Sequence, residues 1–384
     1  MSSNLASPTI PTIGMLKRGH KTASMTSGVL PSQTLRAMAD SGEIIANPPI
    51  INAQVQPASL DLRLGKNAWR VRASFLPGAG RTLEDRLPDF AMHDISLAGG
   101  AVLEKGCVYL VPLMEGLDLP PDVSAVANAK SSTGRLDLFT RLITDHGVEF
   151  DRVDPGYSGP LYAEISPRSF SVLVRPGMRL NQIRFSRGDA AINDDTLRSL
   201  HDEVGLVNGP AHIDNGLGFS VDLTPRDDGI VGYRAKPHTG LIDLDRIGHY
   251  DPAEFWEPVR PQGGSIILDP GAFYILVSQE AVHVPPDTAA EMAPYMAMVG
   301  EFRVHYAGFF DPGFGHVDAG GHGSRGVLEV RCHEAPFALE HGQIVGRLVY
   351  ERMTERPDIL YGADLKSNYQ GQGLKLSKHF KSPA

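Results

Sequence analysis

Apolar positions in this chain come in short runs bounded by Gly or Pro. VYLVPL (Val108 to Leu113), LYAEI (Leu161 to Ile165), SVLV (Ser171 to Val174) and NQIRF (Asn181 to Phe185) are rich in β-branched and aromatic residues. Runs of this length and composition predict strands. Pro120-Pro121-Asp122 and Asp154-Pro155-Gly156 supply turn chemistry between them. Turns recurring every ~10 residues suggest a closed antiparallel barrel or jelly roll, so the fold class is all-β with a few short helices. Two segments break the strand pattern. Pro31 to Gly42 has Leu35 and Met38 at helical spacing and predicts a short helix, with Ser32 as its N-cap. Residues 188–215 hold one short helix and read as a linker.

The strand pattern is duplicated. VLEKGCVYLVPLMEGLDLPPDVSA (Val102 to Ala125) aligns without a gap on ILDPGAFYILVSQEAVHVPPDTAA (Ile267 to Ala290), at an offset of 165. DPGYSGPLYAEISP, from Asp154, resembles DPGFG, from Asp311, followed by GVLEVR, from Gly326. Asp154 meets Asp311 at an offset of 157, and Glu164 meets Glu329 at 165 again. RPGMRLNQIRF (Arg175 to Phe185) echoes EHGQIVGRLVY, and ASLDLRL (Ala58 to Leu64) echoes FSVDLTP (Phe219 to Pro225). A long internal repeat of this kind means two copies of one unit. The expected organisation is a disordered leader (1–30), a first barrel (31–190), a linker (191–215), a second barrel (216–355) and a C-terminal tail (356–384).

Composition agrees with many turns. The chain has 41 Gly and 29 Pro, 70 of 384 residues, against an average nearer ~12%. A net charge of −9 gives no reason to expect a nucleic-acid polymer as partner, though an anionic small molecule needs only a local basic pocket. No apolar run is long enough to predict a membrane span. Two cysteines, Cys107 and Cys332, build neither a disulfide framework nor a zinc ribbon, which fits a reducing cytoplasm. The leader has no acid before Asp40, but scarce Arg, Pro8 and Pro11 argue against a transit peptide. The aromatic, Lys-containing tail from Tyr361 reads as a lid over an anionic ligand.

The candidate chemistry lies between Ala129 and Pro167. Lys130, Ser131, Ser132, Thr133 and Gly134 place a cation, hydroxyls and an unhindered backbone together, a composition suited to wrapping phosphate oxygens. Arg135 and Arg152 add fixed cations. Alternation puts Glu164 on the face of Tyr162, opposite Leu161, Ala163 and Ile165. An outward-facing polar strand residue is the plainer reading of that position.

QPASLDLRLG (Gln56 to Gly65), KSSTGR (Lys130 to Arg135), DRVDPGYSGPLYAEI (Asp151 to Ile165), RPGMRLNQIRF and NYQGQGLKLSK (Asn368 to Lys378) occur in that order. With these motifs the chain resembles the dCTP deaminases, which share the trimeric barrel of the dUTPases, in a long duplicated form. The resemblance implies hydrolytic deamination of dCTP to dUTP and ammonia, feeding dUMP and dTTP synthesis. It implies Glu164 as the catalytic general base, with Ser131 and Arg135 holding the attacking water. Lys130, Ser131, Ser132, Thr133 and Gly134 would bind the triphosphate. Arg152 would support the pocket wall, and Asp154 the deoxyribose 3′-OH beside Tyr157. Tyr162 and Ala163 would read the base edge, and Gln182 would join the binding set. From the tail, Tyr361, Lys366, Tyr369 and Gln372 would close over the phosphates. Asn368 stands where the family often has Lys, and Lys366 is the substitute. The only metal implied is Mg²⁺ carried by the triphosphate; zinc is not, because the zinc deaminases need paired cysteines. dTTP is a candidate inhibitor, since family members commonly respond to it.

By the same offsets, Met296, Ala297 and Gly300 stand opposite Ser131, Ser132 and Arg135, and Phe309 opposite Arg152. Only Glu329 survives. The second copy is therefore expected to be structural, or to contribute to a neighbouring site. The insert from Gly315 to Gly326, with His316, Asp318 and His322, reads as a Gly-rich hairpin loop rather than a metal site. The resemblance also implies a homotrimer, whose three chains supply six barrels for two stacked rings. Two other readings stay open: a bifunctional enzyme that also cleaves dUTP to dUMP, and a nucleotide-binding regulator without catalysis.

Overall fold

The computed structural model describes residues 26–294, 302–304, 308–362 and 371–382. Residues 1–25 of the expected leader, Lys366, Tyr369, Met296, Ala297 and Gly300 lie outside these residues. The end of that leader is structured instead: Gly28–Val29 pairs with Arg187 and Ser186 at the sheet edge, and Leu30 is buried in the first half's core. The described residues fold as two strand-built halves with few helices, so the all-β expectation holds. In the first half the strands Leu60–Arg63, Val123–Ala129 and Arg179–Arg187 form one sheet. Asn67–Val71, Val108–Asp118, Ser158–Pro167 and Leu138–Thr144 form the second. Leu60, Leu62, Ile183 and Phe185 from one sheet meet Leu117, Leu142 and Leu161 from the other in a closed core.

The duplication appears in the strands themselves. Thr288–Pro294 and Ile344–Arg352 repeat Val123–Ala129 and Arg179–Arg187 at the offset of 165. The upstream echo differs by four residues from its sequence alignment. Leu60 pairs with Ile183 and Leu217 with Leu348, so Leu60 corresponds to Leu217 and Asp61 to Gly218. Register against a neighbouring strand, which a short apolar motif does not encode, decides that match.

Ser32 differs from its expected role. Pro31 holds the cap position of helix Ser32–Ser41, and the Ser32 hydroxyl bonds the Asp358 carboxylate instead. Residues 191–215 are not a free tether either. Helix Asp194–Val204 turns Leu197 inward, and Leu197, Leu206 and Val207 belong to the second half's core.

Two devices join the halves. Val172 and Leu173 of the first half pair in parallel with Ile242 and Asp243 of the second. The outer face of the second half's strands Phe273–Val282 and Ser324–Cys332 presents Phe273, Ile275 and Val327 to a core that includes Leu138, Ala163 and Ile165 of the first. Leu376 and Phe380 of the tail enter the same core. Among the described residues no helix is long and apolar enough to cross a membrane.

Candidate active site

A cavity of about 670 Å³ opens where the two halves meet. Its first wall is the single helical turn Ser131–Gly134, at the end of strand Val123–Ala129. The Lys130 carbonyl accepts from the Thr133 and Gly134 amides and winds that turn. Lys130, Ser131, Ser132, Thr133 and Arg135 line the cavity, and Gly134 is buried within the turn. Gln182, on the neighbouring strand, lines it too.

The opposite wall comes from the second half. Leu328 and Val330 of strand Ser324–Cys332 enter that half's core, so alternation turns Val327 and Glu329 toward the cavity. Arg135 Nε lies 3.8 Å from Glu329 Oε1. Asp311, Phe309 and Phe314, from the second DPG turn and the strand before it, complete this wall.

The tail closes a third side. Arg135 donates from Nη2 to Gln372 Oε1 (2.9 Å) and from Nη1 to the Lys375 carbonyl (3.0 Å). Ser377 donates from its hydroxyl to the Ser132 carbonyl (2.8 Å). Tyr361 lines the cavity beside Phe314, with ring centroids 5.6 Å apart. The tail is thus already docked over the cavity, held by Phe380 among Tyr250, Phe255 and Trp256.

Several residues named from the sequence lie elsewhere. Glu164 stands directly opposite Arg141 on the adjacent strand Leu138–Thr144, and Arg141 Nη2 approaches Glu164 Oε1 to 2.5 Å. Both faces of its strand are covered, so Glu164 is buried and not the outward-facing polar residue of the plainer reading. Phe75, stacked on Phe90 at 4.1 Å, packs with Leu83 against Tyr162 on that face. Arg152 and Asp154 project into solvent, their side chains 64% and 82% exposed. The Tyr157 hydroxyl donates to the Pro160 carbonyl (2.6 Å), and Ala163 is packed in the core shared by the halves. Within one chain, Glu164, Arg152, Asp154, Tyr157, Tyr162 and Ala163 are not brought together with the Lys130–Arg135 turn, which the resemblance, with its sites between subunits, leaves to a neighbouring copy. Their counterparts Glu329, Phe309, Asp311 and Phe314 stand there instead. The second half thus lines the cavity, in keeping with the alternative that it contributes to a neighbouring site.

Both domain models of one family match this chain. The model described as 2′-deoxycytidine 5′-triphosphate deaminase (DCD) N-terminal domain matches residues 26–189, and the corresponding C-terminal domain model matches residues 193–380. The chain belongs to the dCTP deaminase family. A crystal structure of 2′-deoxycytidine 5′-triphosphate deaminase from Agrobacterium tumefaciens is 56% identical, with a TM-score of 0.82, and the match covers 85% of this chain and 99% of that one. The family's shorter members match over less of the chain. A dCTP deaminase of Halorubrum lacusprofundi is 32% identical over 148 residues, 38% of this chain and 70% of its own. A protein of Halobacterium salinarum named dCTP deaminase, dUMP-forming, is 27% identical over 161 residues, 41% of this chain and 80% of its own. The stretches matched in these relatives thus span about two-fifths of this long, two-domain family member.

The electrostatics of the cavity separate its two ends. At one end burial pushes the Glu329 carboxyl up to about 8, although Arg135 pulls the other way. Between the ends, burial also raises Asp311, against the Arg184 guanidinium bound to it at 3.2 Å, with Asp61 and Lys130 near enough to act on it. At the other end stand Lys130, Arg179 and Lys378, with Asp61 ion-paired to Lys130 and, at 3.3 Å, to Arg179. Asp61, Arg179, Lys378, Asp311 and Glu329 were not among the residues assigned a role from sequence. The sequence signals for them were the repeat offsets that match Glu329 to Glu164 and Asp311 to Asp154, and the family-like motifs that contain Asp61, Arg179 and Lys378.

Proposed function

We propose that this chain deaminates dCTP to dUTP and ammonia in the cavity between its halves, with Glu329 rather than Glu164 moving the protons. The observation that carries this reading is the approach of Arg135, from the family's Lys130–Arg135 motif, to Glu329 across the two halves. Glu164 already has Arg141 as a partner and does not line the cavity.

The raised pKa of Glu329 suits a specific order of steps. Water adds to C4 of cytosine more readily once N3 is protonated. A protonated Glu329 supplies that proton and becomes a carboxylate. The carboxylate then takes a proton from water held by Ser131 and Arg135 as the water oxygen bonds to C4. Glu329 next passes that proton to the amino nitrogen, the C4–N bond breaks, and ammonia leaves. The remaining C4 hydroxyl returns its proton to Glu329 as the carbonyl forms. The sum is dCTP plus water giving dUTP plus ammonia, with Glu329 restored. Proton transfers of this kind contribute ~10²–10⁴-fold in rate. Arg135 would stabilise charge developing on the oxygen at C4. Lys130 and Arg179 mark the triphosphate end, and Mg²⁺ enters with the substrate as its counterion. Asp311 takes the place that the resemblance gave Asp154, beside the sugar.

The same cavity serves the wider expectations. The walls described above belong to one chain; native mass spectrometry measures whether the implied homotrimer forms. A cytoplasmic setting, where dCTP is made and used, suits two free cysteines. Relatives named dUMP-forming make the product worth measuring directly. Incubation with dCTP and Mg²⁺, followed by separation of dUTP, dUMP and ammonia, tests the proposal. Ammonia and dUTP are expected, and accumulation of dUMP would favour the bifunctional reading. Saturable dCTP binding without ammonia release would overturn deamination in favour of a regulator.

A further inference from the structure

The cationic end of the cavity holds more positive charge than its own acid balances. Asp61 is buried and is shared between Lys130 and Arg179. Lys378 lines the same end, and among the described residues its ammonium has no hydrogen bond or ion pair. Arg175, also in the wall, is occupied by Asp243 and Asp245, both at 2.7 Å. Asp61 is thus the carboxylate paired directly with this group of three cations, while Asp311, bound to Arg184, acts on Lys130 from farther off. Burial pulls the Lys378 ammonium down, with Lys130 and Arg179 adding to the effect and Asp61 opposing it. Such a charge is costly in the empty protein and is relieved by a polyanion.

The backbone around Lys378 is fixed on both sides. The Ser377 hydroxyl contacts the Ser132 carbonyl (2.8 Å) and the His379 ring (2.9 Å). His379 reaches the Leu244 carbonyl through Nε2 at 3.1 Å, and the Lys378 carbonyl accepts from the Gly248 amide. Phe380 lies in the aromatic cluster beyond. Lys378 is thus presented to the cavity from a clamped segment, not from a loose end. Its place beyond the Tyr369–Gln372 motif separates it from Lys366, the substitute named from sequence.

We propose that Lys378 is a third phosphate-binding cation of this pocket, joining Lys130 and Arg179 on the polyphosphate of the substrate and setting the preference for a triphosphate over a monophosphate. This rests on the nucleotide reading of the cavity. It gives the C-terminal ten residues a chemical role as well as a packing one.

Calorimetry with inorganic tripolyphosphate and steady-state kinetics with dCTP and dCMP test it in the full chain. Loss of a charge-assisted hydrogen bond predicts a dissociation constant for tripolyphosphate raised ~10-fold or more in Lys378→Met. KM for dCTP should rise similarly with kcat little changed, and the dCTP-over-dCMP preference should shrink. Lys378→Arg, which keeps the charge, should recover most of the binding. Lys381→Met, which removes an exposed lysine of the same segment, should match wild type. Lys378→Met that folds and binds tripolyphosphate as wild type does would overturn the proposal while leaving deamination intact. A wild-type protein that neither binds tripolyphosphate nor releases ammonia from dCTP would overturn both.

Discussion

Arg135 and Glu329 belong to different halves of the chain, yet they meet 3.8 Å apart at the edge of one cavity. Glu164, the repeat partner of Glu329, meets Arg141 of its own half instead. The two carboxylates therefore predict opposite outcomes. Glu329→Gln should lower ammonia release from dCTP by ~10²-fold or more while nucleotide binding persists. Glu164→Gln should retain activity within a few-fold. The reverse ranking would return the catalytic role to Glu164.

Arg141 should matter to stability rather than turnover. Its removal leaves Glu164 buried without its cation, at a cost of ~1–3 kcal/mol given the partial exposure of Arg141. Thermal melts of Arg141→Met, Glu164→Gln and the double variant measure this. The double variant should recover part of the loss, because no buried charge is then left alone.

Glu329 gives stability a pH dependence of known sign. Its carboxyl is near 4.5 in the unfolded chain and about 8 in the fold. Below pH ~4.5 both states hold the proton and the group contributes nothing. Between these values the unfolded chain releases the proton and the fold retains it, so stability falls as pH rises. Glu329→Gln removes that penalty. Its melting temperature should exceed that of wild type at pH 8, with the gap closing toward pH 4.5. In activity assays, deamination should decline above pH ~8, as the acid that protonates N3 is lost.

Arg184 is almost fully buried at the junction of the halves. It bonds Glu351 (2.9 Å), the Ala290 carbonyl (3.0 Å) and Asp311 (3.2 Å), and lies 4.1 Å from the Phe309 ring centre. Arg184→Met leaves the buried Asp311 and the half-buried Glu351 without their cation. A loss of ~3–5 kcal/mol is expected in denaturant unfolding, together with reduced activity because Asp311 lines the cavity. An unchanged midpoint would show that solvent reaches these acids.

The duplication and its strands were legible because Gly, Pro and β-branched residues recur at a fixed offset. The residue types of the Lys130–Arg135 turn suit phosphate oxygens, but they are also an ordinary loop composition, and the turn stood out through the family-like motif. The choice between Glu164 and Glu329 was not, since alternation treats them equally. The two differ in their non-local partners: Arg141 lies twenty-three residues before Glu164, and Arg135 lies in the other half from Glu329. The helix at Asp194–Val204 was visible in the pattern, but its docking through Leu197 is a tertiary choice. Leu376 and Phe380 sit among lysines and glycines, and nothing in that composition announces that they enter a core.

The parallel pairing of Val172 and Leu173 with Ile242 and Asp243, together with the tail's packing on the first half, holds the two walls of the cavity together within a single chain. A pocket completed between separate subunits disappears on dilution, once the concentration falls below their dissociation constant. Here the effective concentration of one wall for the other is set by the connecting chain, in the millimolar range or above for short tethers. Specific activity should therefore stay constant as the protein is diluted to nanomolar levels.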